Sequence, residues 1–100
     1  MAKLLRPVHP GEVLKEDVLR PLGMSVNQLA RSLAVGAARL NEIVRGRRNI
    51  TADTALRLSR YLGTSAEVWM NIQARYDLEV ARRARQKLID KAIKPREEAA

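Results

Sequence analysis

No cysteine occurs among the 100 residues, so neither disulfides nor thiolate metal sites hold this fold, and thiol chemistry is excluded. Phenylalanine is missing too, and one Trp and two Tyr are the whole aromatic complement. Leu, Val, Ile and Ala must therefore do the packing, which suits helices better than a β-sandwich. Nowhere do about 18 apolar residues run uninterrupted, and the opening "MAKLLRPVHPGE" has no apolar stretch of signal-peptide length. The cytoplasm is the expected compartment, with no membrane partner. Sustained alternation of β-branched residues is absent, as are Asn-Gly and Asp-Gly hairpin turns. His9 is the only histidine, and no Gly-rich phosphate loop is present. Beside Pro10 at a helix start, His9 reads as a capping or packing residue. Glu12, Glu16 and Asp17 read as dipole complements on a wet helix face, or as a surface for a basic protein. The expectation is no enzyme, no metal, no cofactor and no small-molecule substrate.

What the chain does have is positive charge: 19 Lys and Arg against 11 Asp and Glu, a net +8. An excess of this size favours polyanionic partners. Its position matters more than its total. "LARSLAVGAARLNEIVRGRRNI" sets an apolar skeleton and five arginines in one tight segment.

Punctuation divides the sequence into short helices. "HPGEVLKEDVL" has Pro10 in a first turn, and this helix is expected to stop before Pro21, with "PLGM" turning around Gly23. "MSVNQL" carries Ser25 and Gln28 in capping-box spacing, with Met24 and Leu29 as a hydrophobic staple. A second helix runs from about Val26 to Leu33 and buries Leu29, Ala30 and Leu33. After a break at "AVG", a third runs from about Ala37 to Arg45, with Leu40, Ile43 and Val44 inward. Gly46 ends it, and Asn49 in the following loop tolerates positive φ. Thr51 caps a fourth, "ADTALRLSRYL", and Gly63 lies just past its end. Thr64 or Ser65 starts a fifth, "AEVWMNIQARY", with Thr64 and Glu67 in capping-box spacing. The tail "DLEVARRARQKLIDKAIKPREEAA" has helical propensity, a weak apolar stripe and an end expected to fray. No internal repeat or low-complexity block interrupts this order. The fold class is all-α, five short helices plus a tail.

Two short helices joined by a three- or four-residue turn make a helix-turn-helix. Leu29, Leu33, Val35, Leu40 and Ile43 supply the apolar contact, and Ala30 the small residue where the helices approach. The third helix then projects Ala37, Ala38, Arg39, Asn41, Glu42 and Arg45 outward. Ala and Asn let a helix approach base edges, and Arg reaches guanine or phosphate. A plain helical hairpin would match the apolar spacing but leaves the cluster Arg45, Arg47 and Arg48 unexplained. The usual turn residue of this motif is Gly; here Ala34 takes its place, and a left-handed alanine costs about 1 kcal/mol.

"HPGEVL", "NEIVRGRRNITADTALRLSRYLGTS" and "EVWMNIQARYDLEVA" together resemble the HigA antitoxins, the VapI-like group of XRE (Cro/C1-type) helix-turn-helix proteins, over roughly residues 7 to 83. The resemblance implies a five-helix, lambda repressor-like domain with a helical C-terminal tail. It implies a homodimer on double-stranded DNA at a palindromic operator, repressing its own operon. It also implies a HigB-type partner, a RelE-like mRNA endonuclease that the antitoxin keeps inactive. The chain departs from its relatives at "GAAR" (Gly36 to Arg39), at Arg45 where Asn is common, and at Asn49 where Gly is common.

On this reading residues 1–8 are an N-terminal arm, 9–80 the DNA-binding and dimerisation domain, and 81–100 a basic tail. Ala37, Ala38, Arg39, Asn41 and Arg45 are the expected base contacts. Ser25, Asn27, Arg47, Arg48 and Thr51 are the expected phosphate contacts, using side chains and helix N-termini. The fifth helix is apolar on more than one face, so Val68, Trp69, Met70, Ile72 and Tyr76 are the expected dimer interface. Two rivals are a stand-alone XRE-type regulator without a toxin, and a helical protein–protein adaptor whose charge serves only solubility. RNA binding lacks an aromatic stacking platform.

Overall fold

The computed structural model describes residues 6–97; most of the expected N-terminal arm and the last residues of the tail lie outside that range. Within it the chain is all-helical. Helix α1 is built from three consecutive pieces: an α-turn Pro10–Val13, a π-helical stretch Leu14–Leu19 and a closing α-turn Arg20–Leu22. Helices α2 (Val26–Leu33), α3 (Ala37–Val44), α4 (Ala52–Leu62) and α5 (Ala66–Ala92) follow. One core cluster joins all five: Leu14, Val18 and Leu19 of α1, Leu29, Ala30 and Leu33 of α2, Leu40 and Ile43 of α3, Ala55 and Leu58 of α4, and Trp69 of α5, with Ile50 from the loop before α4.

The caps explain where most helices begin. Ser25 Oγ accepts from the Gln28 N–H at 3.1 Å while Gln28 Oε1 accepts from the Ser25 N–H at 2.8 Å, a complete capping box. Thr51 caps α4 by accepting from the Thr54 N–H. His9 caps α1: its Nδ1 accepts from the Gly11 N–H at 2.9 Å. At the fifth helix the cap is Ser65, which accepts from the Val68 N–H. Thr64, the alternative by spacing, accepts instead from the Trp69 indole N–H at 3.0 Å.

Two boundaries differ from the sequence reading. Helix α1 runs through Pro21, because the turns before it are widened: the Arg20 N–H reaches the carbonyl of Lys15, five residues back. A wider turn eases the clash between a proline ring and the preceding turn's carbonyl, so the helix survives to Leu22. Helix α5 has no break near residue 80 and continues to Ala92, 27 residues in all. At 1.5 Å per residue that is about 40 Å, which accounts for a molecule 53 Å long and only 26 by 24 Å across. From Ala81 onward every α5 residue is exposed, so its C-terminal part projects beyond the body. No described helix is long and apolar enough to cross a membrane.

Candidate nucleic-acid interface

Helices α2 and α3 are separated by Ala34, Val35 and Gly36. Ala34 has φ 56° and ψ 44°, the one described non-glycine residue with positive φ. Its N–H bonds the Arg31 carbonyl at 3.2 Å, and the Val35 N–H bonds the Ala30 carbonyl at 3.0 Å. That is the paired bonding of a Schellman turn, which requires a left-handed residue at this point. The sequence gives no hint of what meets the remaining carbonyls. Arg57, from α4, donates from Nη1 to the carbonyls of Leu33 and Ala34 at 3.0 and 3.1 Å, while its Nε donates to Asp53 at 2.7 Å. A cation is thereby set against the C-terminal, negative end of α2. These bonds meet the carbonyl before the left-handed alanine and the alanine's own.

The other end of α3 is clamped by α1 and α5. Gly11 is buried where α1 crosses α3: a Cβ there would overlap the Ile43 carbonyl oxygen and lie 2.8 Å from its carbon. Gly46, with φ 79°, ends α3 in a second Schellman turn, its own N–H bonding Ile43 and that of Arg47 bonding Glu42. His9 packs 3.7 Å from where a Gly46 side chain would begin, and edge-on to the Tyr76 ring at 4.8 Å. Burial pushes the His9 imidazole below the ordinary histidine range, against a smaller opposite pull from Asp77 and Glu12. The loop after Gly46 is held by Gln73, a buried α5 residue that sequence reasoning missed. Its Oε1 accepts from the Ile50 N–H at 2.8 Å, and its Nε2 donates to Asn49 Oδ1 and Asp77 Oδ1. Asn49 thus contributes its side-chain oxygen, and its φ is not positive as the sequence suggested.

Ala37, Ala38, Arg39 and Arg45 are exposed and Asn41 is half-buried, while Leu40 and Ile43 face the core. At 100° per residue, Ala38, Asn41, Glu42 and Arg45 share one line, with Ala37 and Arg39 on its two edges. The face is therefore small at its start and cationic at its exit. Among the described residues no carboxylate lies within ion-pair distance of Arg39, Arg45 or Arg48; Arg47 sits 3.9 Å from Glu42. Ser25 and Asn27 stand exposed at the start of α2, and Thr51 at the start of α4. The Ser25 hydroxyl accepts from the backbone and keeps its own proton to donate, whereas Thr51 gives its proton to Thr54 Oγ1.

The expected dimer set divides. Val68 and Met70 are exposed, but Trp69 is 3% exposed within the core and Ile72 packs half-buried beside it. Tyr76 is half-buried on His9. Trp69 therefore has little surface of its own to offer a partner, and Val68 and Met70 are the more open members of the set. The apolar breadth of α5 that suggested a seam comes in part from its packing on two neighbours, α1 and α4. Among the described residues no group of three His, Cys, Asp or Glu side chains lies where it could hold a metal ion.

The sequence model of the helix-turn-helix family matches residues 14–69. The chain is 52% identical to virulence-associated protein I of Dichelobacter nodosus over 81 residues, covering 81% of this chain and 75% of that one. In structure it is similar to the Pseudomonas aeruginosa antitoxin HigA solved with the higBA promoter, with a TM-score of 0.88 and 48% identity over 90% of this chain and 98% of that one. It is also similar to an addiction module antidote protein of a HigA family from Coxiella burnetii, with a TM-score of 0.87 and 46% identity over 92% of this chain and all (100%) of that one.

Proposed function

This chain belongs to the HigA/VapI-like antitoxins of the XRE-type helix-turn-helix family, and on that premise we propose that it represses its own operon and neutralises a toxin. As a homodimer it sets two α3 helices into successive major grooves of a palindromic operator, about 34 Å apart. Arg39, Asn41 and Arg45 meet base edges or the groove walls, with Ala37 and Ala38 allowing close approach. Ser25, Asn27, Arg47, Arg48 and Thr51 hold the phosphate backbone. The partner protein is a HigB-type, RelE-like mRNA endonuclease, kept inactive by stoichiometric binding without cofactor or chemistry.

The observation that carries the DNA reading is the outward face of α3: small residues at its start, and at its exit Arg45 and Arg48, which have no described carboxylate within ion-pair distance, beside Arg47, 3.9 Å from Glu42, on a helix clamped at both ends. Exposed arginines in this position suit guanine edges or phosphate oxygens. Gel retardation of operator and random duplexes with Arg39→Ala tests the reading. The expected loss is about 1–3 kcal/mol on the operator and less on random DNA. Equal losses would make Arg39 a phosphate contact, and no loss in either would refute the base-contact assignment. The toxin half is tested by co-expression with the adjacent reading frame. A stable complex in fixed stoichiometry is the expected result, and full toxicity beside abundant antitoxin the contrary one.

A further inference from the structure

The start of α1 and the exit of α3 enclose a polar pocket. Gly11 makes it, because its missing side chain lets α1 touch the backbone of Ile43 and Val44. Lys15 follows four residues later on the same side of α1, which brings it into one lining with Arg45 and Arg47. Two carboxylates also line the pocket, and each is already engaged. Arg6 donates to both oxygens of Glu12, at 2.7 and 2.9 Å, and Glu16 lies 3.4 Å from Arg20, one turn along α1. Among the described residues neither Lys15 nor Arg45 has a carboxylate within ion-pair distance, and Arg47 has Glu42 at 3.9 Å. The lining is therefore cationic after its internal pairs are counted. His9 forms part of the same wall. Its Nδ1 accepts from the Gly11 N–H, so the neutral ring carries its proton on Nε2, a buried donor with no hydrogen-bond partner.

We propose that this pocket binds a phosphate group, with Lys15 as a point charge and Arg45 and Arg47 supplying forked N–H donors. A phosphate suits the lining better than a carboxylate does, since it offers more charge and oxygens on more sides. The cations it would meet come from two separate elements, the first turns of α1 and the end of α3 with its loop. Lys15 is thereby a ligand residue that periodicity on the recognition helix could not reveal, because it lies about 30 residues earlier in the chain. The phosphate can belong to the backbone of a bound duplex or to a free phosphate, the chemistry being the same. The duplex source rests on the DNA reading above and adds α1 to that surface; the free source does not depend on it.

The full chain is titrated with inorganic phosphate at constant ionic strength, followed through its backbone N–H signals, with acetate as the reference anion. Saturable shifts are expected at Lys15, Arg45 and Gly46 and none at Arg60 on α4. Lys15→Gln should weaken phosphate binding about two- to fivefold, as the loss of one exposed charge pair would. Glu12→Gln, which removes a negative charge and releases Arg6, should tighten it by a similar factor. A merely structural role for these two side chains would not move phosphate affinity in opposite directions. Salt titrations on duplexes then assign the source. If the phosphate is the duplex's, Lys15→Gln makes the log–log salt slope shallower by about two units for a dimer, on operator and random DNA alike. If it is free, that slope keeps its value while the phosphate shifts still depend on Lys15. Shifts spread evenly over the basic surface, or equal shifts with acetate, overturn the pocket. A wild type that binds no duplex yet shows the localised phosphate shifts refutes the DNA reading and keeps the pocket.

Discussion

At the scale of single residues, His9 and Gly11 have the sharpest consequences. His9 must be neutral at Nδ1 to accept the Gly11 N–H, and burial lowers its proton affinity in the folded chain. The unfolded chain, with an ordinary imidazole, therefore takes up a proton first as pH falls. Stability is complete above the unfolded value near about 6.5. It is lost as pH drops from there through the lowered folded value. Thermal melts of the wild type are expected to decline over that window more steeply than those of His9→Asn, which keeps a capping oxygen but does not titrate; parallel curves would contradict the coupling. Gly11 is a matter of space alone. Because an added methyl would overlap backbone of α3, not a movable side-chain end, Gly11→Ala must push α1 and α3 apart. A loss of about 1–3 kcal/mol in denaturant unfolding is expected, together with weaker DNA binding even in the surviving folded fraction.

At the scale of elements, legibility follows the range of the cause. Ser25, Thr51, Gly46 and Gly63 mark helix ends through bonds within a few residues of themselves, so those ends could be read from the sequence. Ala34 was legible for the same reason: the motif demands a left-handed residue there whatever its identity. The extension of α1 through Pro21 and the roles of Arg57 and Gln73 were not, since each depends on backbone geometry or on partners about 23 residues away. Of the contact residues, exposure on α3 was legible from periodicity, whereas the placing of Trp69 inside the core needed the tertiary fold. The long-range partners carry the stronger prediction. Arg57→Met keeps the stem but removes the donors to Leu33 and Ala34, leaving two turn carbonyls to solvent. A loss of about 1–2 kcal/mol is expected for these partly exposed charge-assisted bonds. Ala34→Gly alone should stabilise by a few tenths to about 1 kcal/mol. If Arg57 acts by holding the strained turn, the double variant recovers part of the Arg57→Met loss in a double-mutant cycle; strict additivity would assign Arg57 only to Asp53.

At the scale of the whole molecule, a net charge of +8 says little until it is divided by position. Much of the tail charge lies on the projecting end of α5, from Arg82 to Lys91, far along the chain from α3. Arg47 and Arg48 follow Gly46 in a loop pinned to α5 through Gln73. A pinned loop presents its cations at a fixed place, so on the proposed reading their contribution to DNA binding is a fixed number of displaced counterions. About three phosphate contacts in each half-site make about six for a dimer, and the logarithm of affinity should fall with the logarithm of salt concentration at a slope near about −5. Arg47→Ala or Arg48→Ala removes one contact from each half-site. The slope should become shallower by about one to two units, with operator and random duplexes weakened alike because a phosphate carries no sequence. Arg47 also neighbours Glu42 at 3.9 Å, so its effect should be the smaller of the two if that carboxylate already holds part of its charge. A tail-driven interaction predicts otherwise: the slope would keep its value in both loop variants and fall only when Arg82, Arg83 and Arg85 are replaced. Titrations at four salt concentrations with the wild type, the two loop variants and the tail variant separate these outcomes. An unchanged slope in the loop variants would place the charge that binds DNA on α5, and leave the loop arginines as a solvated face.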